Sequence, residues 1–278
     1  MQVLRYVAFS SDPAGGNPAG VVLDASGAGE GEMLAVAAAL GYSETAFLVP
    51  RGDRHFGVRY FSPLAEVPFC GHATIASAVA YVERHGPGQL RFETPAGWVD
   101  IANAVAADGA VTATLTSVPP RVEPFGPTDR ADLLAALRWG SDDLDAALPP
   151  RLTFAGAWHP VLAAGSRERL ADLDYDRPAL GGLMARRGWT TINLIWRASE
   201  LVFFARNPFP PGGIFEDPAT GAAAAALGGY LRELGLVTPP ASVTVHQGDD
   251  LGRPGLLTVG IPVSPETGIA VSGTAVAL

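Results

Sequence analysis

Apolar and polar positions alternate along this chain in short runs that break at glycine and proline. "QVLRYVAF", "AGVVLD", "ETAFLVP" and "FGVRYF" have the branched, aromatic-rich character of strands. Between the second and third, "GEGEMLAVAAALG" has a helical pattern closed by Gly41. "QLRFET", "GWVDI" and "VTATL" continue the strand pattern, and then "VPPRVEPFGP" places four prolines in ten residues. That stretch reads as a linker over 119–126, between an N-terminal lobe at 1–118 and a C-terminal lobe at 127–278. Beyond it, the helix candidates "RADLLAALRW" and "RPALGGLMARR" mix with the strand candidates "TINLIW", "LVFFA", "LLTVGI" and "GIAVSGTAVAL". The last of these is open to packing back on the N-terminal lobe.

One pattern occurs twice. Residues 66–71 read Glu-Val-Pro-Phe-Cys-Gly and residues 216–221 read Glu-Asp-Pro-Ala-Thr-Gly. Both are acid-x-Pro-x-x-Gly, and a charge-free helical run follows each, "HATIASAVAYV" and "AAAAALGGYL". A helix that is apolar on every side must be surrounded by protein. The alanines and glycines on its surface let strands close tightly around it. The expected fold is therefore α+β, with two pseudo-symmetric lobes, each a curled β-sheet or barrel around a central buried helix.

Composition narrows the chemistry. The 278 residues are 48% hydrophobic and 17% charged, as expected of a globular chain. The opening "MQVLRYVAFSSD" has an arginine inside its apolar run and no small-residue cleavage site, which argues against a signal peptide. No run approaches the ~18 apolar residues of a membrane span, so a cytoplasmic protein is expected. A net charge of −9 disfavours nucleic acid and anionic membranes as partners. All 19 basic residues are arginine, which excludes a lysine Schiff base and a Walker A loop. The single cysteine, Cys70, allows no disulfide and no cysteine-built zinc or iron–sulfur site. No G-x-S-x-G elbow is present, and no G-x-G-x-x-G follows a strand. The expectation is chemistry with no cofactor and no metal.

The two helix starts are the candidate site. The first N–H groups of a helix have no partner within it, and with the macrodipole they favour an anion such as a substrate carboxylate. Gly71 and Gly221 put no side chain in its way. Glu44, in "GYSETAF", reads either as a solvated loop acid or as a partly buried general acid–base. His72 reads as a helix cap or as a donor to substrate, and Asp217 as a substrate ligand or as a complement to its helix dipole. Cys70 is an inert buried thiol or a nucleophile activated by the helix start.

These residues resemble a family. "GNPAGVVL", "SETAFLV", "RYFSPLAEVPFCGHAT", "GIFEDPATGAAAAALGGYL", "HQGDDLGRPG" and "VSGTAV" occur in the order found in the PhzF-like family, the phenazine-biosynthesis isomerase and its relatives. The resemblance implies a diaminopimelate-epimerase-like fold with the site between two lobes, and a homodimer. It implies a glutamate that shifts a proton within a dihydro-hydroxyanthranilate ring without a cofactor. The matching residue is Glu44, with His72 and Asp217 as the other catalytic positions. Ser43, Cys70, Gly71, Thr220, Gly221 and Ala222 match the substrate-binding positions. Ala222 stands where the family usually has serine, so the resemblance implies proton transfer rather than the phenazine substrate itself. In epimerases of this fold two cysteines begin the helices; here Cys70 and Thr220 hold those places. Threonine is a poor carbon base, so a two-thiol racemase is excluded and a single base at Glu44 is favoured. The function expected is a cofactor-independent isomerase acting on a small cyclic or unsaturated carboxylic acid. A Cys70-dependent epimerase or dehydratase and a non-catalytic binding member are the alternatives.

Overall fold

The computed structural model describes residues 1–278, which divide into two units. Unit 1 comprises Met1–Thr116 and Ser272–Leu278; unit 2 comprises Ser117–Val271. No helix is long and apolar enough to cross a membrane.

Unit 1 opens with β1 (Leu4–Ala8) and β2 (Asn17–Val22), followed by helix α1 (Glu30–Leu40) and β3 (Glu44–Gly52). β4 (His55–Phe61), the two-residue strand β5 (Glu66–Val67) and helix α2 (Gly71–His85) follow, then β6 (Leu90–Thr94), β7 (Gly97–Val105) and β8 (Val111–Thr116). β1 and β2 pair antiparallel, β2 and β3 parallel, β3 and β4 antiparallel, β4 and β6 parallel, and β6, β7 and β8 antiparallel in turn. The C-terminal strand Ala270–Ala277 pairs with both β8 and β1 and closes the ring into a barrel. A closed barrel has no free edge to pair elsewhere.

Helix α2 fills it, packing on β1, β2, β3, β7 and β8. Ile75, Ala76, Ala78, Val79 and Ala80 are fully buried. Each large aliphatic among them contributes about 1.5–3 kcal/mol. Helix α1 lies outside the barrel, where Met33 and Ala37 cover Val22, Phe47 and Phe61. Its C-cap is Gly41 at φ 68°.

Unit 2 follows the same plan. β9 (Arg121–Pro124) lies within the proline-rich stretch 119–126, followed by helix α3 (Pro127–Leu137), β10 (Arg151–Phe154) and β11 (Trp158–Ala163). Helices α4 (Arg167–Ala171) and α5 (Arg177–Arg187) lead to β12 (Asn193–Arg197), β13 (Val202–Pro208) and β14 (Glu216–Asp217). Helix α6 (Gly221–Glu233), β15 (Ala241–Gln247) and β16 (Gly255–Ile261) complete it, and the C-terminal strand is β17. β10–β11 antiparallel, β11–β12 parallel, β12–β13 antiparallel, β13–β15 parallel and β15–β16 antiparallel repeat the order of unit 1 from β1 to β7. Helix α6 occupies the place of α2, with every residue from Ala223 to Leu231 buried. Gly228 and Gly229 make this possible. A Cβ on Gly228 would lie 2.7 Å from Ile269 Cγ2, and one on Gly229 would lie 2.5 Å from Pro120 Cβ. The α+β fold, with a curled sheet around a buried helix in each half, is the one expected from the sequence.

Candidate active site

The site residues read from the sequence fall into two sets, one in each unit. In unit 1 the parallel pairing of β2 with β3 sets Glu44 opposite Ala19 at the strand ends. Helix α2 begins in the same place, with Cys70 as its N-cap residue. No side chain caps this helix start, which leaves the dipole's positive end for an anion.

Five side chains meet here. His72 Nε2 lies 3.5 Å from Glu44 Oε2 and 3.3 Å from Ser43 Oγ. Cys70 Sγ donates to Glu44 Oε2 at 3.5 Å and lies 3.3 Å from His72 Nδ1. Asn17 Nδ2 lies 3.2 Å from His72 Nδ1. An amide nitrogen can only donate, so Nδ1 accepts, and the neutral ring carries its proton on Nε2, facing Glu44. Cys70 and His72 are buried, and the Glu44 side chain keeps 14% exposure, so it is reachable but largely dry. Of the two readings of Glu44, the structure rejects the solvated loop acid. It also removes the cap reading of His72, whose ring contacts Glu44, Ser43, Cys70 and Asn17.

The set in unit 2 is built differently. Thr220 is the N-cap residue of α6 and of a type well suited to capping, yet it makes no side-chain cap bond. Its hydroxyl donates instead to Asp217 Oδ2 at 2.6 Å. Gln247 braces the same turn: Nε2 donates to Asp217 O at 2.7 Å and to Thr220 Oγ1 at 2.9 Å, and Oε1 accepts from Thr220 N at 3.0 Å. Gly221 is buried and Ala222 half-buried at the head of the helix.

Strand register shows what unit 2 lacks. β2 sets Ala19 opposite Glu44, and β11 sets Val161 opposite Asn193. Asn193 thus takes the place of Glu44, His159 that of Asn17, and Ala222 that of His72. An amide and a methyl stand at those positions in place of the carboxylate and the imidazole, so the Glu44, His72 and Cys70 grouping has no counterpart in unit 2.

Asn17 and Gln247 were not singled out from the sequence. Each adjoins a glycine that no other residue could replace. Gly16 has φ 47° and a Cβ there would lie 2.2 Å from Ala8 O; Gly248 has φ 89° and a Cβ there would lie 2.3 Å from Arg253 O. A polar residue beside such a glycine, in "GNPAG" and "HQGDD", was the available signal.

Comparison with known proteins identifies the family. The uncharacterized isomerase YddE of Escherichia coli (strain K12) is 32% identical, over 100% of this chain and 96% of its own. The trans-2,3-dihydro-3-hydroxyanthranilate isomerase of Pseudomonas fluorescens is 29% identical over 90% of this chain and 86% of its own. The crystal structure of a PhzF-family phenazine biosynthesis protein of Bacillus anthracis superposes with a TM-score of 0.87 at 27% identity, covering 100% of this chain and 98% of that one. A probable proline racemase from Agrobacterium radiobacter, 13% identical with a TM-score of 0.70 over 99% of this chain and 90% of its own, shares the fold. The family profile described as phenazine biosynthesis-like protein matches residues 6–278. The chain belongs to that family, as an enzyme of the isomerase type.

Proposed function

We propose that the protein is a cofactor-independent isomerase that moves a proton on a small cyclic or unsaturated carboxylic acid, with Glu44 as its general acid and base. The carrying observation is the setting of Glu44: a largely buried carboxylate within 3.5 Å of both His72 Nε2 and Cys70 Sγ, beside a helix start that no side chain caps. The Glu44 carboxylate takes a proton from carbon, and the electron pair left by the C–H bond spreads into the conjugated carboxylate. Backbone N–H groups at the head of α2 stabilise that charge. The proton then returns from Glu44 to another carbon of the same conjugated system, and no electron acceptor is consumed. His72 holds the Glu44 carboxylate through Nε2–H and offers that proton to substrate oxygen. Asp217, fixed by Thr220 and Gln247, is proposed to bind a polar group of the substrate. The name of the Pseudomonas relative, a trans-2,3-dihydro-3-hydroxyanthranilate isomerase, supports a cyclic acid as substrate.

Carboxylic acids found by a thermal-shift screen, incubated with the enzyme in D2O, should take up deuterium at the labile carbon. Glu44→Gln should slow this exchange by about 10²–10⁴-fold. Exchange at the wild-type rate in that variant would remove Glu44 as the base.

One observation favours a second reading, a Cys70-dependent epimerase or dehydratase: Cys70 Sγ lies 3.5 Å from Glu44 Oε2 and 3.3 Å from His72 Nδ1, within reach of both. Cys70→Ala decides between them. Exchange abolished in this variant and retained in Glu44→Gln installs the thiol as base; the reverse pattern dismisses it.

A further inference from the structure

We propose that Cys70, His72 and Glu44 form a binding site for a borderline-soft divalent cation, Zn²⁺ above all, and that occupancy blocks the enzyme. A single cysteine rules out a cysteine-built cluster, but not a mixed site with one sulfur, one nitrogen and one oxygen donor. Zn²⁺ takes thiolate, imidazole and carboxylate together, commonly with three protein ligands and an exchangeable fourth position.

The donor atoms already stand at the separations a tetrahedral ion requires. With Zn–S near 2.3 Å and Zn–N and Zn–O near 2.1 Å, tetrahedral angles place sulfur about 3.6 Å from the other two donors, and nitrogen about 3.4 Å from oxygen. Here Cys70 Sγ lies 3.5 Å from Glu44 Oε2 and 3.7 Å from His72 Nε2, and Nε2 lies 3.5 Å from Oε2. One donor atom from each of the three residues falls within 4.8 Å of the others. Two backbone segments supply a preformed triangle: Glu44 from the head of β3, and Cys70 and His72 from either side of the first residue of α2. Little reorganisation is needed beyond loss of the thiol proton to solvent and a tautomer change in His72. That change moves the ring proton to Nδ1, where the Asn17 side chain must present its oxygen in place of its nitrogen.

Unit 2 is an internal comparison. There Thr220, Asn193 and Ala222 hold the equivalent positions, and none offers a comparable ligand. The site is therefore single per chain. Binding does not depend on the proposed reaction; its inhibitory effect does, because a metal-bound Glu44 cannot accept a proton.

The test is titration of the apoprotein, reduced and freed of metal by chelator, with Zn²⁺ in a calorimeter and with Co²⁺ in a spectrophotometer. One Zn²⁺ should bind per chain with a Kd of about 1 μM or tighter, and Co²⁺ should give a thiolate charge-transfer band. Cys70→Ala should abolish the band. His72→Asn and Glu44→Gln should each weaken Zn²⁺ binding by about 100-fold or more, with circular dichroism confirming that every variant is folded. Absence of saturable binding overturns the proposal, as does binding that survives Cys70→Ala. Binding that depends on Cys70 but on neither His72 nor Glu44 also overturns it, because a lone thiol is then the ligand. Zn²⁺ bound with deuterium exchange undiminished leaves the site standing and counts against Glu44 as the base.

Discussion

His159 shows what complete burial does to a titratable side chain. Thr191 Oγ1 donates to Asn207 Oδ1 at 2.8 Å, so it accepts from His159 Nδ1 at 2.9 Å, and Nε2 has no partner. Burial pushes the imidazole down to about 4, because the charged ring would sit in an apolar setting with one hydrogen bond. The ordinary value is near 6.5. As pH falls below about 6.5 the unfolded chain takes up a proton that the native ring refuses until about 4, so stability drops across that window. This one group accounts for a loss of about 3 kcal/mol, and for none above the window. Urea unfolding of wild type and His159→Gln between pH 7 and about 4 should show a shallower acid loss in the variant. Identical slopes would mean that the native ring takes up its proton as readily as it does in the unfolded chain. The residue scale is also where the sequence was least legible. Glu44 and His72 stood out because an acid and an imidazole adjoined apolar runs. Asn17 and Gln247 act only through contacts with residues far along the chain, 55 positions away for Asn17 and His72 and 27 for Gln247 and Thr220.

Between residue and domain, the repeated acid-x-Pro-x-x-Gly segment turns out to be a device for docking a helix start on a strand. Its first acid is clasped in each unit by an arginine from the strand on which it lies. Arg59 of β4 binds Glu66 with Nε to Oε1 at 2.7 Å and Nη2 to Oε2 at 2.6 Å. Arg206 of β13 binds Glu216 with Nε 2.9 Å from Oε2, and its Nη1 also donates to Ala171 O at 2.6 Å. The sequence showed the repeat, but not that its acid serves structure while the next position, Asp217 against Val67, carries the difference. The two clasps differ in burial. Arg59 and Glu66 side chains are 34% and 29% exposed, whereas Arg206 and Glu216 are 7% and 1% exposed. Arg206→Ala should therefore cost about 3–5 kcal/mol by stranding a buried carboxylate, and Glu66→Gln about 1 kcal/mol or less. Equal losses in denaturant midpoints would show that burial does not set their worth. Helix α6 gives a parallel contrast. Gly229→Ala drives a methyl against Pro120 and should cost about 1–3 kcal/mol. Gly31→Ala in α1 meets nothing within 4 Å and should stabilise by about 0.5–1 kcal/mol. The glycines of "ALGGYL" announced a close approach in the sequence; which strand or loop approaches depends on a chain return that no local pattern encodes.

At the scale of the whole chain, two units of one topology have diverged in chemistry and in how their sheets are completed. Unit 1 holds the carboxylate, imidazole and thiol, and its barrel is closed only by the far end of the chain. Ser272–Leu278 supplies the strand that pairs with both β1 and β8. The return is specific: Phe9 N donates to Thr274 O at 2.7 Å, Thr274 Oγ1 donates to Val111 O at 2.8 Å, and Thr114 Oγ1 meets Ser272 Oγ at 2.7 Å. Gly273 lies against Phe9 so closely that a Cβ there would be 2.3 Å from the ring. Removing this segment leaves the facing edges of β1 and β8 unpaired, and with them the closure of the barrel around α2. A chain ending at Val271 should lose hydrogen-exchange protection along Leu4–Ala8 and Val111–Thr116 and lose deuterium incorporation into substrate. The same segment added as a synthetic peptide should restore both in part. Should the truncated chain keep its protection along β1 and β8, barrel closure is not what holds unit 1 together, and the buried helix alone must organise the sheet.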